Sequence, residues 1–257
     1  MLANYHTHTV RCHHAQGSER EYIEEAIKKG FKILGFSDHV PQPYPATYTS
    51  GCRMAMTDLP DYVNTLLALK EEYKKDITLY IGFEAEYSIK YFDKLIKELS
   101  SYPIDYLIQG QHFVPDEVEG FYAGAKTDDV SRLKDYVNCT IEGMETGLFS
   151  YLAHPDVINF TGDREIYKEE MAKVVETANR LNLPLEVNMY GFTDNRHYPS
   201  DTFFTLASEL GAKFVLGCDA HNPKMMLRPE DIPGFNAFLE KNNIKTGDNM
   251  ITLNPVK

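Results

Sequence analysis

Lys32-Ile33-Leu34-Gly35-Phe36-Ser37-Asp38-His39 decides the fold of this chain. Its apolar and aromatic centre reads as a buried strand, and it ends in an acid and an imidazole. The same construction recurs along the sequence. Glu84 follows Leu79-Tyr80-Ile81-Gly82-Phe83, His112 comes shortly after Tyr106-Leu107-Ile108, and His154 follows Tyr151-Leu152-Ala153. Asp219 and His221 follow Phe214-Val215-Leu216-Gly217. Near the N-terminus, His6 and His8 stand one residue apart in Tyr5-His6-Thr7-His8-Thr9. Alternate residues of a strand share a face, so His6 and His8 are expected roughly 6–7 Å apart and able to grip one ion.

Strands are expected at 2–6, 32–37, 78–83, 104–108, 149–153, 184–188 and 213–217. Helical periodicity fills the intervals from Ser18 to Lys29, Leu59 to Lys75, Tyr91 to Leu99, Asp128 to Thr146, Asp163 to Leu181 and Ser200 to Leu210. A last helix is expected near Pro229 to Lys241. Ser18 and Glu21 have capping-box spacing, Asp163 precedes an acidic first turn, and Gly30, Gly147 and Gly211 fall just after helix candidates. This repeated β-then-α pattern predicts parallel strands with helical crossovers. An open sheet gathers its site at one crevice, whereas a closed ring brings many strand ends to one point. Polar residues at the C-terminal ends of at least six of the seven strands therefore predict a barrel.

At 257 residues the chain suits one such barrel spanning 1–257, and no linker, low-complexity stretch or composition shift marks a boundary. Hydrophobic content of 43% and charged content of 25% are ordinary for a soluble enzyme. The net charge of −12 argues against a nucleic-acid partner, which needs clustered Lys and Arg. It leaves room for a small phosphorylated substrate, because bound divalent cations invert the field of an acidic cleft. The four scattered cysteines read as free thiols in a reducing compartment. With no leader-like N-terminus and no apolar run near ~18 residues, the expectation is a cytoplasmic protein with no membrane partner.

His6, His8, His14, His39, Glu84, His112, His154, Asp219 and His221 are candidate ligands, more than one or two ions require. At three to four protein ligands per ion, with one bridging carboxylate, they point to about three divalent ions. Imidazole and carboxylate without thiolate suit zinc, iron or manganese.

Eight motifs carry a family resemblance: His6-Thr7-His8, Cys12-His13-His14-Ala15-Gln16-Gly17, Gly35-Phe36-Ser37-Asp38-His39, Gly82-Phe83-Glu84-Ala85-Glu86, Gly110-Gln111-His112-Phe113, Ala153-His154-Pro155-Asp156, Glu186-Val187-Asn188 and Gly217-Cys218-Asp219-Ala220-His221. In that order, from residue 5 to about 225, the chain resembles the polymerase and histidinol phosphatase (PHP) superfamily. It is most similar there to the stand-alone histidinol-phosphate phosphatases, including Arg53-Met54-Ala55-Met56. The resemblance implies a distorted (β/α)7 TIM-like barrel with a trinuclear metal site at the C-terminal face of the strands. It implies that His6, His8, Glu84 and Asp219 hold a first ion. Glu84 would bridge to a second ion completed by His112 and His154, and His14, His39 and His221 would hold the third. His13, Glu86 and Asp156 match no ligand position; they are expected to be solvated or to orient a ligating histidine.

Several divalent ions, with no phosphate-cradling glycine loop and no dinucleotide fingerprint, point to hydrolysis. Water bound at such a site loses a proton near neutral pH, and the metals neutralise charge on a phosphate ester. The expected activity is a metal-dependent phosphomonoesterase, with L-histidinol phosphate, an intermediate of histidine biosynthesis, as the favoured substrate. The acidic surroundings would suit its amine and imidazole. Asp38, Glu84 and His221 are expected to carry catalysis, Asp38 either as proton donor to the leaving alcohol or as partner of a ligating histidine. Arg196, in the loop after the sixth strand, resembles the family's substrate-binding arginine. Arg53, in the long excursion 40–57, and Arg164, at a helix start after the fifth strand, are further substrate-binding candidates. Arg164 and His197 also have the reading of solvated residues. Rival readings are another PHP phosphoesterase, an amidohydrolase and a non-catalytic metal-binding module. An amidohydrolase usually adds a ligating lysine after a middle strand, and none follows 104–108 or 149–153.

Overall fold

The computed structural model describes residues 1–256. In chain order its strands are β1 (Ala3–Asn4), β2 (Ile33–His39), β3 (Thr78–Ala85), β4 (Tyr106–Gln109), β5 (Phe113–Val114), β6 (Phe121–Tyr122), β7 (Phe149–Leu152), β8 (Leu185–Asn188) and β9 (Phe214–Gly217). β5 and β6 form a small antiparallel hairpin; the other seven pair in parallel in the order β1-β2-β3-β4-β7-β8-β9. The ring closes just beyond β1 and β9. There Thr7 bridges Ala220, His8 N donates to Ala220 O (3.0 Å) and Ala220 N donates to His6 O (3.2 Å). This is the nearly closed (β/α)7 barrel that the strand-end pattern called for.

Helices α1 (Glu19–Lys28), α2 (Leu59–Glu72), α3 (Phe92–Leu99), α4 (Val130–Glu145), α5 (Arg164–Arg180), α6 (Met189–Thr193), α7 (Asp201–Glu209) and α8 (Phe235–Lys241) accompany the strands. Their starts follow local chemistry. Ser18 and Glu21 form the reciprocal capping box of α1, and Asp163 accepts from Glu165 N and Ile166 N at α5. The last helix begins later than its periodicity suggested. Pro229–Asp231 forms a separate 3-10 turn, and Gly234 breaks the path with φ 80°. None of the helices is long and apolar enough to cross a membrane, and all four cysteines are free.

Strand alternation sorts side chains into two cores. On β3, Leu79, Ile81 and Phe83 pack outward among the helices, while Tyr80 and Glu84 turn toward the barrel axis. Ala3, Tyr5, Tyr106, Ile108, Tyr151, Ala153 and Val215 fill the lumen, and Tyr106 spends its hydroxyl on Tyr5 O (2.7 Å). One layer higher the inward positions become polar. β2 and β3 each run two residues past their expected ends, so Asp38, His39 and Glu84 belong to the strands themselves.

β1 is shorter than expected, and the reason matters for the site. Ala3 and Tyr5 face the lumen, so strict alternation would turn His6 outward toward the helices. The strand pairing instead stops at Asn4. Asn4 Nδ2 donates to His6 O (3.1 Å) and Thr7 Oγ1 (2.8 Å), and Asn4 Oδ1 accepts from Cys218 N (2.9 Å). These bonds replace ladder bonds and shift the alternation by one residue, bringing His6 and His8 to the axis beside Tyr5.

Candidate metal centre

Glu84, at the top of β3, is the hub. Its Oε2 lies 3.5 Å from His6 Nε2, 3.5 Å from His8 Nε2 and 3.0 Å from His39 Nδ1. Its Oε1 lies 2.6 Å from His154 Nε2 and 3.4 Å from His112 Nε2. Across the axis, Asp219 Oδ1 lies 3.5 Å from His6 Nε2, 3.0 Å from His8 Nε2 and 3.4 Å from His221 Nδ1. His221 Nε2 and His14 Nε2 are 3.0 Å apart and form a third group with His39. All nine residues singled out as ligands thus meet at one mouth of the barrel.

The donor atoms fit cations. His6 Nε2, His8 Nε2, Glu84 Oε2 and Asp219 Oδ1 are buried with no hydrogen-bond partner. A buried polar atom left unpaired costs about 1–3 kcal/mol. Four of them converging on one point is the arrangement a divalent ion satisfies, and the residues in turn are those that zinc, manganese or iron accepts.

Charge within the cluster is strongly coupled. Burial works against protonating His6, but Glu186, Asp219 and Glu84 outweigh it and push the imidazole up to about 10. Burial similarly works to raise Glu84, yet His112, His39, His6 and His154 hold its carboxyl well below the usual range. His39 is driven well down by burial, and His221 down to about 3 by burial and then by His8. Those two are held in the neutral form that binds metal.

Second contacts aim the imidazoles. Glu186 Oε1 sits 2.7 Å from His6 Nδ1, Asp38 Oδ1 3.3 Å from His8 Nδ1, and Glu86 Oε1 3.2 Å from His112 Nδ1. Carbonyls do the same for His14 (Cys12 O, 2.7 Å) and His221 (Asp219 O, 3.0 Å). Each fixes a tautomer with Nε2 turned toward the centre. Glu186 is held in turn: its Oε2 accepts from His154 N (3.0 Å) and Asn188 Nδ2 (3.0 Å). Two close approaches make room for the carboxylates. A Cβ on Gly217 would lie 1.8 Å from Glu186 Oε1, and one on Gly110 would lie 1.9 Å from Glu84 Oε1.

Glu186 has a part that sequence reasoning left unassigned. The available signal was a lone acid alternating with Asn188 in Leu185-Glu186-Val187-Asn188, on the strand face that also points its neighbours at the axis. Asp38 sits behind His8. It accepts from Thr9 N (3.2 Å), Thr9 Oγ1 and His39 N (2.8 Å) and does not line the cavity. That position makes Asp38 a direct partner of His8 and sets it back from the cavity.

A cavity of about 540 Å³ opens over the cluster. Arg196 reaches it with its guanidinium 4.1 Å from the centre of the Tyr190 ring, bonded to Asp194 (3.0 Å) and the Tyr198 hydroxyl (3.0 Å). Phe113 and Tyr122, from the β5–β6 hairpin, also line it. Arg53 is in the wall, 2% exposed, and its charge is already engaged. It pairs with Glu86 (3.0 Å) and Glu117 (2.7 Å) and donates to Val40 O (3.2 Å). It thereby ties the 40–57 excursion to the hairpin loop and, through Glu86, to His112. Arg164 is elsewhere: exposed at the start of α5, it lines a separate small pocket with Asp156 and His197. His13 is exposed with φ 68°. The acidic balance of the chain does not extend to the cavity wall, where Glu84 and Asp219 are the only carboxylates among the described residues and two arginines are present.

A parallel barrel with imidazoles and carboxylates gathered at the C-terminal ends of its strands has buried His/Glu/Asp clusters consistent with a metal site. Residues 4–190 match the PHP domain, and the chain belongs to the PHP family. It is 29% identical over 229 residues to a Deinococcus radiodurans protein named "Probable histidinol-phosphatase", covering 86% of this chain and 87% of that one. A "Probable phosphatase" of Shewanella amazonensis is 27% identical over 225 residues, covering 84% of this chain and 75% of that one. In fold it matches the histidinol phosphate phosphatase of Lactococcus lactis, solved with zinc, L-histidinol and phosphate, with a TM-score of 0.73 over 98% of both chains at 19% identity.

Proposed function

We propose that this protein is a metal-dependent phosphomonoesterase that converts L-histidinol phosphate and water into L-histidinol and phosphate, a step of histidine biosynthesis. The observation that carries the reading is the convergence of nine ligand-type side chains, with orphaned buried donor atoms, beneath a cavity that contains an arginine. His6, His8, Glu84 and Asp219 would hold one ion, Glu84, His112 and His154 a second, and His14, His39 and His221 a third. When bound, zinc, manganese or iron ions supply an activated water and neutralise charge on the phosphate.

The chain's own residues do the remainder. Arg196 offers a two-pronged donor to phosphate oxygens, held in place by the Tyr190 face and Asp194. Arg53, committed to Glu86 and Glu117, holds the cavity wall and the His112 side of the cluster. Phe113, Tyr122 and Tyr198 line the cavity and would offer apolar surface to the leaving group. Asp38 and Glu186 keep His8 and His6 in the tautomer that presents Nε2. The Deinococcus name and the Lactococcus complex with histidinol support this choice of alcohol.

A broader phosphomonoesterase reading is favoured by one observation: among the described residues the only carboxylates in the cavity wall are Glu84 and Asp219, both assigned to the ions, which leaves none for a substrate amine. Phosphate release from L-histidinol phosphate, with manganese or zinc added and run beside other monoesters and a nitrophenyl phosphodiester, tests both. Preference for L-histidinol phosphate is the expected result. Equal turnover of unrelated monoesters selects the broader reading, and rapid turnover of the diester with none of the monoester overturns both.

A further inference from the structure

Outside the metal centre, one small pocket contains a buried carboxylate oxygen that has no partner among the described residues. It occupies about 170 Å³ between the β7–α5 connection and the start of α7, and is lined by Asp156, Arg164, Tyr167, His197, Ser200 and Thr202 among others. Asp156 is 2% exposed; its Oδ2 accepts from Ser200 N (2.7 Å), while its Oδ1 is buried with no partner. Arg164 is exposed, and among the described residues no side chain or carbonyl takes its guanidinium. His197 spends Nε2 on Val157 O (2.8 Å), which leaves Nδ1 uncommitted. Phe160 and Tyr167, with ring planes 11° apart, give the pocket an apolar wall.

We propose that this pocket is a second small-molecule site, for a compound carrying an ammonium and a carboxylate a few atoms apart, such as a free amino acid. The ammonium would donate to Asp156 Oδ1 at the floor, and the carboxylate would take the Arg164 fork at the mouth. An anion alone would meet the Asp156 carboxylate, and a cation alone would leave Arg164 without an acceptor. At about 170 Å³ the pocket is of a size for a small molecule such as a free amino acid. The site shares a wall with the main cavity. Along one short segment Arg196 and Tyr198 line the metal-side cavity, while His197 and Ser200 line this pocket. A ligand here would therefore brace the segment that carries Arg196. The proposal does not depend on which ester the metal centre hydrolyses.

Titration calorimetry with the common free L-amino acids as probes, on the full chain and three variants, tests it. At least one amino acid is expected to bind wild type and Arg196→Ala alike, and to bind Arg164→Gln about tenfold more weakly or worse, the value of one lost charge-assisted pair. Ammonium and acetate supplied singly should not substitute. Asp156→Asn should lose binding as well, and if that variant fails to fold, Arg164→Gln decides alone. No binding at millimolar concentration, a loss below about threefold in Arg164→Gln, or a loss confined to Arg196→Ala would each overturn the proposal.

Discussion

Replacing Glu186 by glutamine changes one oxygen for one NH2 group and is expected to weaken metal binding through the candidate ligand His6, which Glu186 contacts. Glu186 Oε2 receives two donors, His154 N and Asn188 Nδ2, so the single carbonyl oxygen of a glutamine would settle there. Its NH2 would then face His6 Nδ1, which Glu186 Oε1 meets at 2.7 Å. His6 would have to accept at Nδ1 and carry its proton on Nε2, the atom that points at Glu84 and Asp219. Loss of such an orienting partner typically costs 10–100-fold in metal affinity, about 1.4–2.8 kcal/mol. The assay is competition against a chromogenic chelator, with elemental analysis after dialysis and circular dichroism to confirm folding. Gly217→Ala provides a second route, since its Cβ would lie 1.8 Å from Glu186 Oε1 and push the carboxylate off its mark without changing charge. A folded Glu186→Gln protein that binds zinc within twofold of wild type would refute the reasoning.

Two further outcomes follow from the cavity wall. Arg196→Ala should raise KM for a phosphomonoester by about ten- to hundredfold, the value of charge-assisted bonds to phosphate, with metal content unchanged; steady-state kinetics beside elemental analysis checks this. Arg53→Met leaves Glu86 and Glu117 buried without their cation and is expected to cost about 3–5 kcal/mol of stability, read by urea unfolding, in addition to loosening His112.

The barrel and the gathering of its candidate ligands were legible because both rest on local patterns. An apolar run that ends in an acid or an imidazole marks a strand end, and the repetition of that pattern implies a ring. Helix starts at Ser18 and Asp163 were legible for the same reason, since a cap needs only its neighbours. What escaped depends on contacts between distant segments. His6 and His8 do share a side, with ring centres 5.2 Å apart, but through the Asn4 bonds that shift the alternation and not through a continuous strand. The two-residue strands of the β5–β6 hairpin are too short to show a period. The engagement of Arg53 depends on Glu117, far along the chain, so its ion pairs could not be read from the excursion alone. Arg164 was placed on the active side by its strand, yet the first turn of α5 carries it into a different pocket. Glu186 shows the general limit: its place in the Glu186-Val187-Asn188 motif does not give its role, because a carboxylate that acts on a histidine's far nitrogen shows only as an acid where an apolar residue would be cheaper to bury.

The most direct test of the account is a metal titration followed by phosphate release. Stripped protein is given increasing zinc or manganese and assayed with L-histidinol phosphate at each step. Hydrolysis should be absent in the stripped protein, rise until about three equivalents per chain are bound, and stay absent in Glu84→Gln, which loses the residue shared by two of the three ion sites. Turnover by the stripped protein, or full activity at a single equivalent, would contradict it.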